Sequence, residues 1–110
     1  MSADPQVTTR IALIGDATIA GHCLRRLRAS GFEVVACLPG SLSFAAEARS
    51  QDVPVLAVNA HLDELLETPC DWILSAFNIR ILPEKVIAHP SRGVINFHDG
   101  PLPRYAGLYA

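Results

Sequence analysis

Five short apolar runs, beginning at positions 10, 33, 53, 71 and 94, most limit what this chain can fold into. They are Arg10 to Gly15, Glu33 to Leu38, Val53 to Val58, Asp71 to Phe77 and Val94 to His98. The first, ending in glycine, has the pattern of a strand buried on both faces, and the others read as further strands. Pro54 weakens the start of the third, because proline cannot donate to a ladder. The segments between them carry helical spacing instead. Thr18 is placed to cap a helix bearing Ile19, Cys23, Leu24 and Leu27, and Gly31 is placed to stop it. A short helix is expected over Phe44 to Arg49. A short acidic one is expected over His61 to Glu67, with Leu62, Leu65 and Leu66 toward the core. Pro83 is suited to open a helix reaching about His89. Strands alternating with helices predict an α/β fold, a Rossmann-like parallel sheet with flanking helices and right-handed crossovers.

Such sheets bind ligands outside the carboxyl ends of their strands. That rule places Gly15 to Thr18, Phe77 to Leu82 and Asn96 to Gly107 on one functional edge. The first turn, Gly15-Asp16-Ala17-Thr18-Ile19-Ala20-Gly21, lacks the G-x-G-x-x-G spacing. The second strand ends Cys37-Leu38-Pro39 with no acidic residue for a ribose, which argues against a nicotinamide cofactor. Backbone N–H groups at this helix start remain able to hold an anionic substrate group. Arg25, Arg26 and Arg28 lie mostly off the apolar stripe and read as a solvated face rather than an anion patch.

With 110 residues the chain is one domain, and 50% hydrophobic against 18% charged residues favours a well-buried fold. Residues 1–9 read as a loose, flexible N-terminal arm and residues 10–110 as the domain. A net charge of −2 offers no electrostatic case for nucleic acid or an anionic membrane. Cys23, Cys37 and Cys70 are odd in number and far apart, so they read as free thiols in a reducing cytoplasm. A metal site would need His89, His98 and Asp99 to converge, yet Asp99 follows His98 directly and their side chains diverge on extended backbone. Neither Ser75 nor a cysteine has a recognisable nucleophile elbow. Trp72 and Phe97 read as core aromatics.

Asn96 and His98, two residues apart on the last strand, project to one face while Ile95 and Phe97 point to the other. An amide donor and an imidazole at a strand end meet the two needs of acyl transfer, stabilising an oxyanion and moving a proton. A carboxylate to orient the imidazole is the missing part. Asn96-Phe97-His98-Asp99-Gly100-Pro101-Leu102-Pro103-Arg104-Tyr105-Ala106-Gly107 resembles the signature of folate-dependent formyltransferases, N-x-H-x-S-L-L-P-[RK]-[YWH]-x-G. Ala76-Phe77-Asn78-Ile79-Arg80-Ile81-Leu82 is similar to the segment that precedes it in that family.

This resemblance implies a formyltransferase N-terminal domain, incomplete at its C-terminus, with 10-formyltetrahydrofolate as co-substrate. It implies Asn96 and His98 as the catalytic asparagine and histidine, and Arg80, Ile81 and Leu82 as the pterin-binding segment. The partner is then an amine-bearing substrate, and the Pro-Leu-Pro-Arg-Tyr-Ala-Gly variant leans toward a carrier-bound amino acid in a peptide synthetase. Three departures accompany it. Gly100-Pro101 stands where the family often has Ser-Leu, and Asn78 where many members have an aromatic residue. The family's catalytic aspartate is expected beyond Ala110. The resemblance further implies a cis Leu102–Pro103 bond. The alternative is a non-catalytic α/β binding or docking module of the same fold.

Overall fold

The computed structural model describes residues 7–76, 78 and 80–97. Four strands form one parallel sheet: β1 (Arg10–Gly15), β2 (Glu33–Pro39), β3 (Trp72–Ala76) and β4 (Gly93–Phe97), in the order β2-β1-β3-β4. Three helices accompany them: α1 (Ala17–Ala29), α2 (Leu42–Ser50) and the single turn α3 (Glu84–Ile87), with a 3-10 helix over Leu62–Glu67. The fold expected from the alternating pattern is the fold found.

The third predicted strand is the main difference. Val53 to Val58 forms only one bridge, Val55 against Cys37, held by Cys37 N–H to the Pro54 carbonyl and Leu56 N–H to the Cys37 carbonyl, both 2.8 Å. Pro54 brings no N–H on one side and Pro39 none on the other, so the ladder cannot lengthen. Counting this remnant, the order becomes third-second-first-fourth-fifth, the Rossmann-type order with its switch point between β1 and β3.

The two faces of the sheet are filled differently. Ala12, Ile14, Ala36, Leu38 and Ile73 pack beneath Leu62 and Leu65 of the 3-10 helix and Val86 of α3. Leu13, Cys37 and Ala76 pack on the other face against Ala20 and Leu24 of α1 and Phe44 and Ala48 of α2. Burial on both faces is why these strands read as unbroken apolar runs. Cys37 and Cys70 are buried free thiols, and Cys23 is half-buried in α1.

Local signals account for the helix ends. Asp16, not Thr18, caps α1, its Oδ1 accepting the Ala17 N–H at 2.7 Å; the helix starts one residue before Thr18. At the other end Phe32 N–H reaches the Leu27 carbonyl and Gly31 N–H the Arg28 carbonyl. That closing pattern requires a left-handed residue, and Gly31 supplies it at φ 89°. Ser41 caps α2 through Phe44 N–H, 3.3 Å. Pro83 stands just before α3, which ends at Ile87, short of His89. Of the three α1 arginines, Arg25 pairs with Glu47 at 2.7 Å and Arg28 donates to the Gln51 carbonyl, so both tie α1 to α2 from the solvent side.

The two aromatics expected in the core are not there. Trp72 is half-buried, with the Arg92 guanidinium 5.9 Å from its ring centre, and Phe97 is 43% exposed. Both belong to the outer half of the sheet, where no described helix covers β4. The predicted arm, residues 1–9, lies largely outside the described residues. No helix among the described residues is long and apolar enough to cross a membrane.

Candidate active site

The carboxyl ends of the strands converge on a cleft of about 340 Å³. Ile14, Asp16, Leu38, Asn59, Asn78 and Arg80 are among the residues that line it. The first turn and the segment after β3 therefore meet at one edge, as the topology rule requires. Glycine makes this closeness possible. A Cβ on Gly15 would lie 2.6 Å from the Ala76 carbonyl oxygen and 2.8 Å from Ala20 Cβ, and one on Gly40 would lie 3.2 Å from the Asp16 carboxyl carbon. Ala17 (φ 59°) and Asn59 (φ 56°) hold left-handed backbone beside the cleft, conformations that cost energy and concentrate at functional sites.

The start of α1 is not an open anion seat. The Asp16 carboxylate already occupies it, placing a negative group where an anionic substrate would have docked. The carboxylate that sequence reading overlooked here follows directly after β1, a capping position in its own right. Asn59 was also overlooked; its only sequence signal is that asparagine tolerates positive φ. It bonds back to the Pro39 carbonyl at 2.8 Å, closing the cleft beside β2.

The segment expected to hold the pterin is tied at its first residue. Arg80 Nη1 donates to the Ala60 carbonyl at 2.7 Å, and Arg80 N–H donates to Asn78 Oδ1 at 3.1 Å. Asn78 Nδ2 in turn donates to the Arg80 carbonyl at 2.9 Å. Asn78 thus braces the turn by hydrogen bonds. Leu82 packs against the core, whereas Ile81 is 91% exposed. Arg80 and Ile81 also border a second hollow of about 400 Å³, against Leu62 and Pro83.

Asn96 lies at the carboxyl end of β4, in register with Ser75 of β3. Ser75 is in turn in register with Ile14, and Ile14 with Leu38. Register partners on parallel strands share a face, so Asn96 is on the face that carries the cleft-lining Ile14 and Leu38. Its side is exposed. His98 and the loop with Leu102–Pro103 lie outside the described residues. Among the predicted site residues the structure thus brings Arg80, Ile81 and Leu82 to the same edge as Asn96.

A larger hollow, about 430 Å³, lies at the opposite end of the sheet between Phe32, Glu33 and Pro54. The loops entering β2 and the Val55 bridge line it, at the amino ends of the strands, and none of the described candidate residues borders it.

Comparison with known proteins bears on the same region. The formyl transferase family model matches residues 43–110. Methionyl-tRNA formyltransferases of Staphylococcus aureus strains Newman, USA300 and JH1 are each 37% identical over 65 residues. That match takes in 54% of this chain and 21% of each relative, so the chain spans about a fifth of the length of those proteins. The matched segment holds β3, α3, β4 and the whole signature, and its β3 is zipped directly to β1 outside the match. With an α/β parallel sheet, its loops gathered at the carboxyl edge and a family model covering most of its length, the chain belongs to the formyl transferase family and represents part of its N-terminal domain.

Proposed function

We propose that this chain supplies the formyl-donor half of a centre that moves the formyl group of 10-formyltetrahydrofolate to a substrate amine. The amine nitrogen attacks the formyl carbon, and the carbonyl oxygen becomes the oxyanion of a tetrahedral adduct. Asn96 Nδ2–H and His98 stabilise that charge. His98 also helps carry the proton lost by the amine to the folate nitrogen, which leaves as the C–N bond breaks. The products are the N-formyl amine and tetrahydrofolate. An aspartate supplied by a longer protein would orient His98.

The observation that carries this reading is the position of Asn96. It lies near the carboxyl end of β4, on the cleft-bearing face of the sheet and within the segment the family shares. The fit of a folate is supported by the second hollow. Exposed Ile81 offers an apolar surface for a flat ring, and no backbone hydrogen bond among the described residues engages Ile81 or Leu82, leaving polar groups for the ring's edge. The relatives' named substrate is a methionyl-tRNA. We take the α-amine of an aminoacyl ester or thioester as the substrate class, which also includes a carrier-bound amino acid.

The test is replacement of His98 by alanine in the protein that carries this chain, assayed with 10-formyltetrahydrofolate and an aminoacyl-tRNA or carrier-bound amino acid. Loss of transfer by about a hundredfold or more is expected. Transfer at an unchanged rate would sink the assignment.

A further inference from the structure

The row Leu38, Ile14, Ser75, Asn96 crosses the sheet on one face, and its last two members are polar. Ser75 is only 1% exposed, and among the described residues its Oγ has no hydrogen-bond partner. An unpaired buried hydroxyl is costly, so a small apolar residue would serve the core better. On one side Ser75 faces Ile14, which has no side-chain acceptor. On the other it faces Asn96, which has one.

Neighbouring strands stand about 4.8 Å apart, and an O–H···O bond spans about 2.7 Å. That spacing puts Asn96 Oδ1 within side-chain reach of the Ser75 hydroxyl. The bond matters because an amide has two unlike ends. Only the Nδ2 end stabilises an oxyanion, and half a turn about the last side-chain bond presents a repelling oxygen instead.

We propose that Ser75 is a positioning residue for Asn96, donating its hydroxyl to Oδ1 and thereby turning Nδ2 toward the carboxyl edge of the sheet. This rests on the role proposed above for Asn96. The buried position of Ser75 suits the task, since a hydroxyl shielded from water has no competing solvent partner.

A matched pair of substitutions separates the hydroxyl from packing. Ser75→Thr keeps the hydroxyl, and Ser75→Val has the same shape without it. In the nitrogen-15-labelled chain, nuclear magnetic resonance reads the order parameter of the Asn96 side-chain amide. We expect the threonine variant to match the parent and the valine variant to lose order at that group alone. In the longer protein, the valine variant is expected to lower kcat about tenfold against threonine, with KM unchanged. Equal Asn96 order in the two variants would overturn the proposal, whatever transfer does. If Asn96→Ala leaves transfer intact while Ser75→Val still frees the amide, the formyltransferase role falls and the positioning of Asn96 by Ser75 stands.

Discussion

Gly15 and Ala76 approach so closely that no side chain fits between them: a Cβ on Gly15 would stand 2.6 Å from the Ala76 carbonyl oxygen. The contact joins the ends of β1 and β3 at the switch point of the sheet, where Asp16 N–H also reaches that carbonyl at 3.3 Å. The obstructing atom is backbone in a paired strand and cannot swing aside. Gly15→Ala is therefore expected to destabilise the chain by about 2 kcal/mol through overpacking. Urea denaturation reads this as a lower midpoint at unchanged slope. A midpoint equal to the parent's would mean that β3 yields at no cost.

Asp71 ties together the starts of two strands. Its Oδ2 accepts the Arg10 N–H at 2.8 Å and its Oδ1 the Ser91 hydroxyl at 3.0 Å. The Arg10 N–H, and then the Ser91 hydroxyl, hold its carboxyl below the ordinary value of 3.8. A carboxyl with a depressed folded-state pKa contributes stability that is present above its unfolded value and lost as pH falls through the folded one. The parent should thus exceed Asp71→Asn in stability most clearly above about pH 4, and the gap should close in stronger acid. Denaturation midpoints from neutral to acid pH measure it; a gap constant with pH would contradict the assignment.

The three thiols should differ in reactivity. Burial pushes the Cys37 thiol up to about 12 and raises those of Cys70 and Cys23 as well. Cys23 is the least enclosed. Alkylation at mildly alkaline pH should mark Cys23 first, with Cys37 reacting only after denaturation, because the thiolate is the nucleophile. Peptide mass mapping after timed iodoacetamide treatment decides. Early labelling of Cys37 would place it at a surface the structure does not give it.

Arg80 holds the candidate pterin segment by its bond to the Ala60 carbonyl. In the longer protein, Arg80→Ala should weaken binding of 10-formyltetrahydrofolate about tenfold, the loss of about 1.4 kcal/mol, with little change in kcat. Steady-state kinetics separate the two constants. An unchanged KM would remove the 80–82 segment from the folate site.

Much of the frame was legible because strands leave short apolar runs: three became the largely buried β1, β2 and β3, and the last became the more exposed β4. The third run misled because Val53 to Val58 is apolar enough for a strand, while Pro54 and Pro39 deny the bridge its neighbours. Phe97 misled for a different reason. An aromatic residue in a strand favours burial, but β4 is an edge strand of the described sheet and no described helix covers that face of it. The cap moved from Thr18 to Asp16 because both residues are good caps, and only the backbone's departure from β1 selects between them.

Local order and chemistry were written in the chain itself: the alternation of strand and helix, the free thiols, and the signature that contains Asn96. Periodicity and motif spacing report what a segment prefers and which residues travel together along it. Tertiary structure alone decided that Asp16 closes the helix end against anions, that Asn59 and Arg80 share a cleft, and that the unpaired Ser75 hydroxyl stands beside Asn96. Those relations join residues far apart in sequence, and strand register and sheet order set them; no pattern along a single segment carries that information.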